Sequence, residues 1–115
     1  MSLDIRRFKI RRRRTFELIR NGIKWLEIRL DRGYFAHIKV NTIIELYNGY
    51  DNVRVIVDDI KRVNSIAELI NDRLIRIGST PEVNDKDIMK YYRQFYSEGA
   101  LRSNKVIVLW IKRVS

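Results

Sequence analysis

The amino-acid sequence predicts an α+β fold built around a small, partly closed β-sheet. Three observations support this fold class. Short runs with strand-like alternation dominate the chain, the helical patterns are few and brief, and 115 residues suit one domain with one continuous core. The chain has no internal repeat, no low-complexity linker and one proline, so a single domain is the simplest organisation.

The N-terminal third predicts a strand or arm, a helix and a strand. Residues 5–12 interleave apolar side chains with arginines and indicate a weak first strand or a basic arm. Thr15–Asn21 favours a short helix, with Thr15 as its N-cap and Gly22 as its left-handed stop. Residues 24–30 alternate with a period of two. One face of this strand carries Leu26, Ile28 and Leu30, and the other carries Trp25, Glu27 and Arg29.

The middle of the chain predicts a β-hairpin followed by a capped helix. Two β-rich runs, 43–47 and 53–57, flank the turn-forming residues 48–52, and the second run is expected to continue towards Val63. Ser65-Ile66-Ala67-Glu68 is a capping box, with a hydroxyl at the N-cap and a carboxylate three residues later. This motif predicts a helix from Ser65 to about Asp72.

The C-terminal part predicts a loop, a longer helix and a closing strand. Residues 78–81 suit a loop, and a helix is expected from residue 84 or 85 to about Ser97, ended by Gly99. Residues 106–111 are apolar on both faces, which is typical of a central strand. The buried stripe of the helix follows a spacing of three and four residues and comprises Ile88, Met89, Tyr92, Phe95 and Tyr96.

The composition excludes several kinds of chemistry. The chain has no cysteine, which excludes a disulfide scaffold, a thiol nucleophile and a zinc site built on cysteines. His37 is the one histidine, so a histidine-rich metal site or a two-histidine mechanism is also excluded. No cofactor or metal is expected. No apolar run approaches 18 residues and the N-terminus lacks an apolar signal region, so we expect a cytoplasmic protein without membrane contact.

The charge of the chain is strongly basic and unevenly distributed. Lysine and arginine number 24 against 14 acidic residues, which gives a net charge of +10 and a pI near 10.2. Between residues 6 and 14, seven of nine side chains are basic. A charge density of this kind attracts polyanions and favours nucleic-acid contact over a merely solubilising arm. The arginines of this segment are Arg6, Arg7, Arg11, Arg12, Arg13 and Arg14.

The order of motifs resembles the ASCH domain, a branch of the PUA-like β-barrel superfamily. The family's G-x-K-x-x-E-x-R signature is present as Gly22-Ile23-Lys24-Trp25-Leu26-Glu27-Ile28-Arg29. An S-x-x-E-L-I helix at 65–70, a tyrosine-bearing helix and a last strand at 106–114 follow in the family's order. The resemblance covers residues 15–114, and it departs from the family where Asn41-Thr42 replaces a Gly-Asp pair.

The resemblance implies a small mixed barrel of about five to six strands with two to three flanking helices. In this arrangement residues 1–14 form a basic N-terminal strand or arm, and residues 15–115 form the ASCH/PUA-like domain. The resemblance further implies a cleft between barrel and helices that binds RNA or a nucleoside. No oligomeric state follows from it.

Lys24, Glu27 and Arg29 are the principal predicted site residues. Lysine and arginine can bind a phosphate or a base edge, and glutamate can accept a hydrogen bond from an exocyclic amine. The alternative is a strand face with a surface ion pair, which residue chemistry alone favours. The resemblance favours a binding role instead, with Trp25 as a residue on which a base could stack.

Two other functions remain open from the sequence. A bacterial subgroup that resembles this domain hydrolyses the amide of N4-acetylcytidine with a Lys, a Thr and a Glu. Lys24 matches its lysine, Glu27 occupies its threonine position, and these two residues would be catalytic in such a hydrolase or in a ribonuclease. The other alternative is a DNA-binding regulator, because a positive charge does not distinguish DNA from RNA. A helix over 84–97 would carry Lys86, Lys90 and Arg93 on one side.

Overall fold

Five β-strands form one mixed, curled sheet in a computed structural model that describes residues 5–114 apart from the side chain of Asp85. The strands are β1 (Arg6–Lys9), β2 (Leu26–Leu30), β3 (Ile43–Asn48), β4 (Asp51–Val63) and β5 (Val106–Arg113). Their spatial order is β1-β3-β4-β5-β2. β1 runs parallel to β3, and the other neighbours are antiparallel. The sheet forms a half-barrel, as the α+β prediction implied.

Short helices pack beside this half-barrel. The α-helices are α1 (Arg13–Arg20), α2 (Ile66–Leu69), α3 (Arg73–Ser79), α4 (Ile88–Arg93) and α5 (Glu98–Ser103), and 3-10 turns lie at Gly33–His37 and Asp85–Asp87. Two to three helices were expected, whereas the described chain has five. The additional helices, α3 and α5, lie outside the spans of the predicted helices. None of the helices in the described part of the chain is long and apolar enough to cross a membrane.

The core has two parts, one on each face of the sheet, and β5 contributes to both. Ile107, Leu109 and Ile111 belong to the cluster that includes Phe16 of α1. Val106 and Val108 belong to the cluster that contains the buried side chains of α2–α5. Side chains along a strand alternate between faces, so a strand between two cores is apolar throughout. The prediction that residues 106–111 form a central strand is therefore confirmed.

The hairpin of β3 and β4 matches the sequence pattern. Asn48 pairs with Asp51, so Gly49 and Tyr50 form the turn, and Gly49 has a φ of +61°. Glycine adopts this left-handed conformation without steric cost. β4 extends to Val63 as expected, with a register shift against β5 between Val57 and Asp59. Such a bulge increases local twist and assists the curling of the sheet.

The capping box at residues 65–68 forms, but its helix is short. The hydroxyl of Ser65 accepts from the Glu68 amide at 3.2 Å, and the Glu68 carboxylate accepts from the Asn64 amide at 3.1 Å. α2 nevertheless ends at Leu69, and Asp72 caps a new helix by accepting from Ile75 N at 3.2 Å. The predicted helix to Asp72 is therefore too long. The predicted loop at 78–81 is wrong for Gly78 and Ser79, which end α3, whereas Thr80 and Pro81 lie outside any helix.

The predicted helix from residue 84 or 85 to Ser97 is shorter in the structure, where a 3-10 turn at Asp85–Asp87 precedes α4 (Ile88–Arg93). α4 ends at Arg93, and Ser97 caps α5 by accepting from the Ala100 amide at 3.2 Å. Gly99 lies inside α5 rather than ending a helix. Ile88 and Tyr92 are buried as the stripe predicts, but Phe95 is 51% exposed. The break after Arg93 removes Phe95 from the helical register that would have buried it.

The basic N-terminal segment is part of the folded structure. Residues 6–9 form β1, and Ile10 is buried in the core beside Phe16. Met1–Asp4 of the predicted segment lie outside the described residues. α1 begins at Arg13, and its N-cap is Arg12, so Thr15 is not the predicted cap. Gly22 has a φ of +75°, in agreement with its predicted role as the left-handed stop of the helix.

Candidate functional site

A polar cavity of about 160 Å³ lies between β2 and the segments that carry α3 and α4. We call it the inner cavity. Lys24 and Glu27 of the predicted site contribute to its wall, so the structure brings these two residues together. The inner cavity is lined by Lys24, Glu27, Ile28, Ser79, Thr80, Tyr91, Tyr92, Phe95 and Tyr96.

Lys24 is held at the inner cavity by the backbone around it. After the left-handed Gly22, its amide donates to Leu18 O at 3.0 Å, which turns the chain from α1 into β2. The side chain is 8% exposed. Its Nζ donates to Leu26 O at 2.8 Å and also to Ser79 O, so it connects β2 to the end of α3. Burial lowers the pKa of Lys24 below its ordinary range, and the Glu27 carboxylate partly opposes this shift.

Glu27 lies between two cations. Its Oε1 is 3.8 Å from Lys24 Nζ, and its Oε2 is 3.8 Å from Arg29 Nη2. The Glu27 side chain is 13% exposed. Arg29 is positioned by aromatic rings, with its guanidinium 5.4 Å from the ring centre of Phe35 and 6.0 Å from that of Phe8. The three principal predicted residues therefore form one connected charged cluster.

Hydroxyl groups complete the wall of the inner cavity. Burial raises the pKa values of Tyr91, Tyr92 and Tyr96, which keeps their phenols neutral and able to donate hydrogen bonds. Ser79 Oγ donates to Ile75 O at 2.7 Å, and Thr80 Oγ1 donates to Arg76 O at 3.0 Å. From the sequence, Ser79 and Thr80 near Pro81 could line a pocket, but loop chemistry accounts for these residue types equally well, so they were not assigned to the site.

A wider cleft of about 590 Å³ adjoins the inner cavity. We call it the outer cleft. The two share the side chains of Glu27, Ile28, Tyr91, Phe95 and Tyr96, so they lie side by side with a common wall. The remaining lining is mostly basic and comes from the end of β1, the link to α1, the start of α1 and β2. It comprises Lys9, Ile10, Arg11, Arg12, Thr15 and Arg29.

The N-terminal arginines do not all face the outer cleft. Arg11 and Arg12 line it. Arg7 Nε forms an ion pair with Glu45 Oε2 at 2.5 Å. Arg13 Nη2 forms ion pairs with Glu17 Oε1 and with Asp51 Oδ2, each at 2.6 Å. Arg6 lies over the ring of Tyr34, and Arg14 is exposed on α1. The predicted basic segment thus divides into residues that line the cleft and residues that lie elsewhere on β1 and α1.

Trp25 lies apart from the inner cavity and the outer cleft. It packs against the core cluster of α2–α5, and its backbone bonds to Gly78 O and Ile111 N. A Cβ added at Gly78 would lie 2.9 Å from the Trp25 ring, which shows how closely the indole packs against α3. The aromatic side chains at the site are instead Tyr91, Tyr92, Phe95 and Tyr96.

A metal ion would find few ligands at this site. Among the side chains that the structure describes, which leave out Asp85, no group of three or more histidines or carboxylates is placed to hold one. The site offers one carboxylate, two flanking cations and several phenols. This set of groups suits hydrogen bonding to a polar ligand and attraction of an anion.

The curled sheet and the flanking helices form a small α+β half-barrel that is consistent with a PUA-like barrel, and the polar cleft lies at their junction. Three solved structures share this fold. The crystal structure of hypothetical protein PH0355 is 27% identical with a TM-score of 0.78, covering 94% of this chain and 97% of that one. The solution structure of protein PF0455 from Pyrococcus furiosus is 23% identical with a TM-score of 0.74, and the match covers 97% of this chain and 99% of that one.

The third structure connects the fold to a named domain. It is a mutant of the ZmASCH protein from Zymomonas mobilis, 13% identical with a TM-score of 0.63, covering 92% of this chain and 66% of that one. At this identity the likeness concerns the fold, and it confirms the ASCH-type fold that the signature motif implied. No family model and no curated protein matches the chain.

Proposed function

We propose that the protein binds RNA, with one unpaired base in the inner cavity and the sugar-phosphate backbone along the outer cleft. The observation that carries this proposal is that the two spaces adjoin and share five lining side chains. The inner cavity offers hydrogen-bonding groups, whereas the outer cleft offers Lys9, Arg11, Arg12 and Arg29. Phosphate contacts position a nucleic acid and base contacts specify it, so a specific site needs both kinds of group.

The inner cavity suits a base that carries an exocyclic amine. Glu27 is an acceptor, and its carboxylate is held in place by Lys24 and Arg29. Lys24 Nζ uses two of its three N–H donors on backbone carbonyls. Its remaining donor and the neutral phenols can bond to acceptors of the base. Insertion requires a base that is not stacked in a duplex, which is the usual target of sequence-specific RNA recognition.

The outer cleft supplies the electrostatic attraction. Arg11 and Arg12 are exposed and line the outer cleft. Each phosphate that they neutralise releases counterions, so affinity should fall as salt rises. The net charge of +10 adds a long-range attraction for any polyanion.

Binding to a panel of fluorescein-labelled oligonucleotides at two salt concentrations tests this proposal. We expect tighter binding to single-stranded RNA than to duplex RNA or DNA, and a loss of affinity when Arg11 and Arg12 are both replaced by glutamine. Equal affinity for all these polymers would show a non-specific polycation and would overturn the proposal. A preference for duplex DNA would instead favour the DNA-binding alternative.

A second function is favoured by one specific observation. A buried lysine with a lowered pKa lies beside a partly buried carboxylate in the inner cavity, an arrangement that can serve proton transfer. This supports a metal-independent hydrolase acting on a modified nucleoside such as N4-acetylcytidine, or on RNA itself, with Lys24 and Glu27 as catalytic residues. Incubation with N4-acetylcytidine and chromatography for cytidine and acetate tests it, and an absence of both products would exclude that substrate.

A further inference from the structure

The position of Phe95 distinguishes it from the other exposed apolar side chains. It lies in the turn between α4 and α5, is 51% exposed, and lines both the inner cavity and the outer cleft. Isolated exposed apolar residues are normal in proteins, as Leu74 on α3 illustrates at 59%. Phe95 differs because it lies where a polar cavity meets a cationic cleft.

The surroundings of Phe95 hold its ring in place. The Tyr91 ring contacts it edge to face, with the two centres 5.3 Å apart. The guanidinium of Arg12 lies 5.1 Å from the Phe95 ring centre, and Arg12 Nη2 also donates to Gln94 Oε1 at 2.8 Å. A half-exposed ring with a fixed orientation and a neighbouring cation is suited to stacking on a nucleobase.

From this placement we propose that Phe95 is the base-stacking residue of the site, and that the site accommodates two successive unpaired nucleotides of single-stranded RNA. This inference rests on the proposed function. The base in the inner cavity lies against Glu27, and the base of the next nucleotide stacks on the Phe95 ring. Arg12 then lies beside the phosphate that joins them. Stacking is tolerant of sequence, so the outer base adds affinity and the inner base adds specificity.

Two variants separate stacking from simple apolar contact. Phe95→Leu keeps an apolar side chain and removes the aromatic face, whereas Phe95→Trp enlarges that face. Leu74→Ala on α3 is the matched control, because it removes a similarly exposed apolar group away from the cavity and cleft. Thermal unfolding of all three confirms that they fold.

The measurement is the affinity for a fluorescein-labelled single-stranded RNA decamer and, separately, for inorganic polyphosphate, which has no bases. We expect Phe95→Leu to bind the RNA about 10-fold more weakly, Phe95→Trp and Leu74→Ala to bind it like the wild type, and all variants to bind polyphosphate equally. The wild type should also bind a dinucleotide more tightly than a mononucleotide.

Each contrary result has a distinct meaning. If Phe95→Leu binds RNA as Leu74→Ala does, the stacking role is wrong while RNA binding itself stands. If Phe95→Leu loses affinity for polyphosphate as well as RNA, the residue acts by positioning Arg12, and the stacking role is again wrong. If the wild type binds RNA no better than polyphosphate, the proposed function fails together with this inference.

Discussion

Lys24 Nζ and Glu27 Oε1 are 3.8 Å apart, and both side chains are largely withdrawn from solvent, at 8% and 13% exposure. This separation is longer than a strong hydrogen bond, so each group retains capacity for another partner. Lys24 uses its close hydrogen bonds on backbone carbonyls instead. The pair therefore combines a structural cation with a carboxylate that is available to a ligand.

Replacing Glu27 by glutamine should change base preference. The variant keeps the shape of the side chain but turns part of its acceptor edge into a donor. We expect the preference for bases with an exocyclic amine to fall by about 1–3 kcal/mol, the usual value of a good base contact. Any hydrolysis should fall by about 10²–10⁴-fold if Glu27 is a general base. Affinities for four homopolymeric RNAs provide the measurement.

Glu98→Gln is the control for this experiment, because Glu98 is exposed on α5 and does not line the site. It changes the net charge of the protein by the same amount. A Glu27→Gln variant that behaves like Glu98→Gln in base preference would contradict a recognition role for Glu27.

Replacing Lys24 by methionine should destabilise the fold. The variant keeps the aliphatic stem but leaves Leu26 O and Ser79 O without their Nζ donor. Leaving buried polar groups without partners costs about 1–3 kcal/mol, and we expect a loss of stability in this range. Urea denaturation measures it. An unchanged midpoint with an unchanged slope would show that Lys24 does not connect β2 to α3 energetically.

The pH dependence of stability should differ between the wild type and Lys24→Met. Folding lowers the pKa of Lys24 below its ordinary value of 10.5. At a pH between the lowered pKa and 10.5, the unfolded chain therefore binds more protons at Lys24 than the folded chain does. Stability therefore rises with pH across that interval. The tyrosines act in the opposite direction above about pH 10, because burial raises their pKa values in the folded state.

Denaturation at several pH values between 7 and 10 isolates the contribution of Lys24 as the difference between the two proteins. We expect the wild type to gain stability relative to Lys24→Met as the pH rises. A constant difference across this range would show that the pKa of Lys24 is not lowered by folding.

Replacing Arg11 by glutamine should weaken RNA binding and reduce its salt dependence. Arg11 is exposed in the outer cleft, so its charge is available to a phosphate. Losing one phosphate contact should reduce the slope of log K against log[salt] by about 0.7, the value for a single strand. Lys61→Gln on β4 removes an equal charge elsewhere. Equal slopes for both variants would place the RNA outside the cleft.

Two glycine substitutions should have opposite effects on stability. A Cβ at Gly78 would lie 2.7 Å from a Leu26 methyl carbon and 2.9 Å from the Trp25 ring, so Gly78→Ala should cost about 1–3 kcal/mol through overpacking. Gly99 has nothing within 4 Å, and Gly99→Ala should be neutral or stabilise α5 by up to about 1 kcal/mol. Thermal unfolding of both variants tests this difference.

The strands could be predicted from the sequence because each has a local pattern of apolar residues. A strand with one buried face alternates between apolar and polar residues, and a strand between two cores is apolar throughout. The β3–β4 hairpin has turn residues that suit it, and β5 is apolar because it lies between two cores. α3 could not be predicted in the same way. Its buried face includes the small residues Gly78 and Ser79, while the apolar Leu74 and Ile77 are exposed. The hydropathy of these four residues therefore predicts the opposite buried face of α3 from the one observed.

The site was predictable in part. The signature motif led to Lys24, Glu27 and Arg29 because all three lie within one short segment at β2. Phe95 could not be assigned, because its exposure depends on the break between α4 and α5 that the helical spacing concealed. Trp25 was placed with Glu27 by strand alternation. However, β2 begins only at Leu26, so alternation does not determine the direction of the preceding indole.

The pairing of β2 with β5 sets the time at which the cleft can form during synthesis. Leu26 pairs with Trp110 and Leu30 with Val106, so the strand that carries Glu27 and Arg29 gains this sheet neighbour only after β5 has been synthesised. Until then β2, which carries these charged side chains, lacks its hydrogen-bonded neighbour β5. A nascent chain that lacks β5 would expose the basic segment without its cavity, and would attract polyanions without selecting among them.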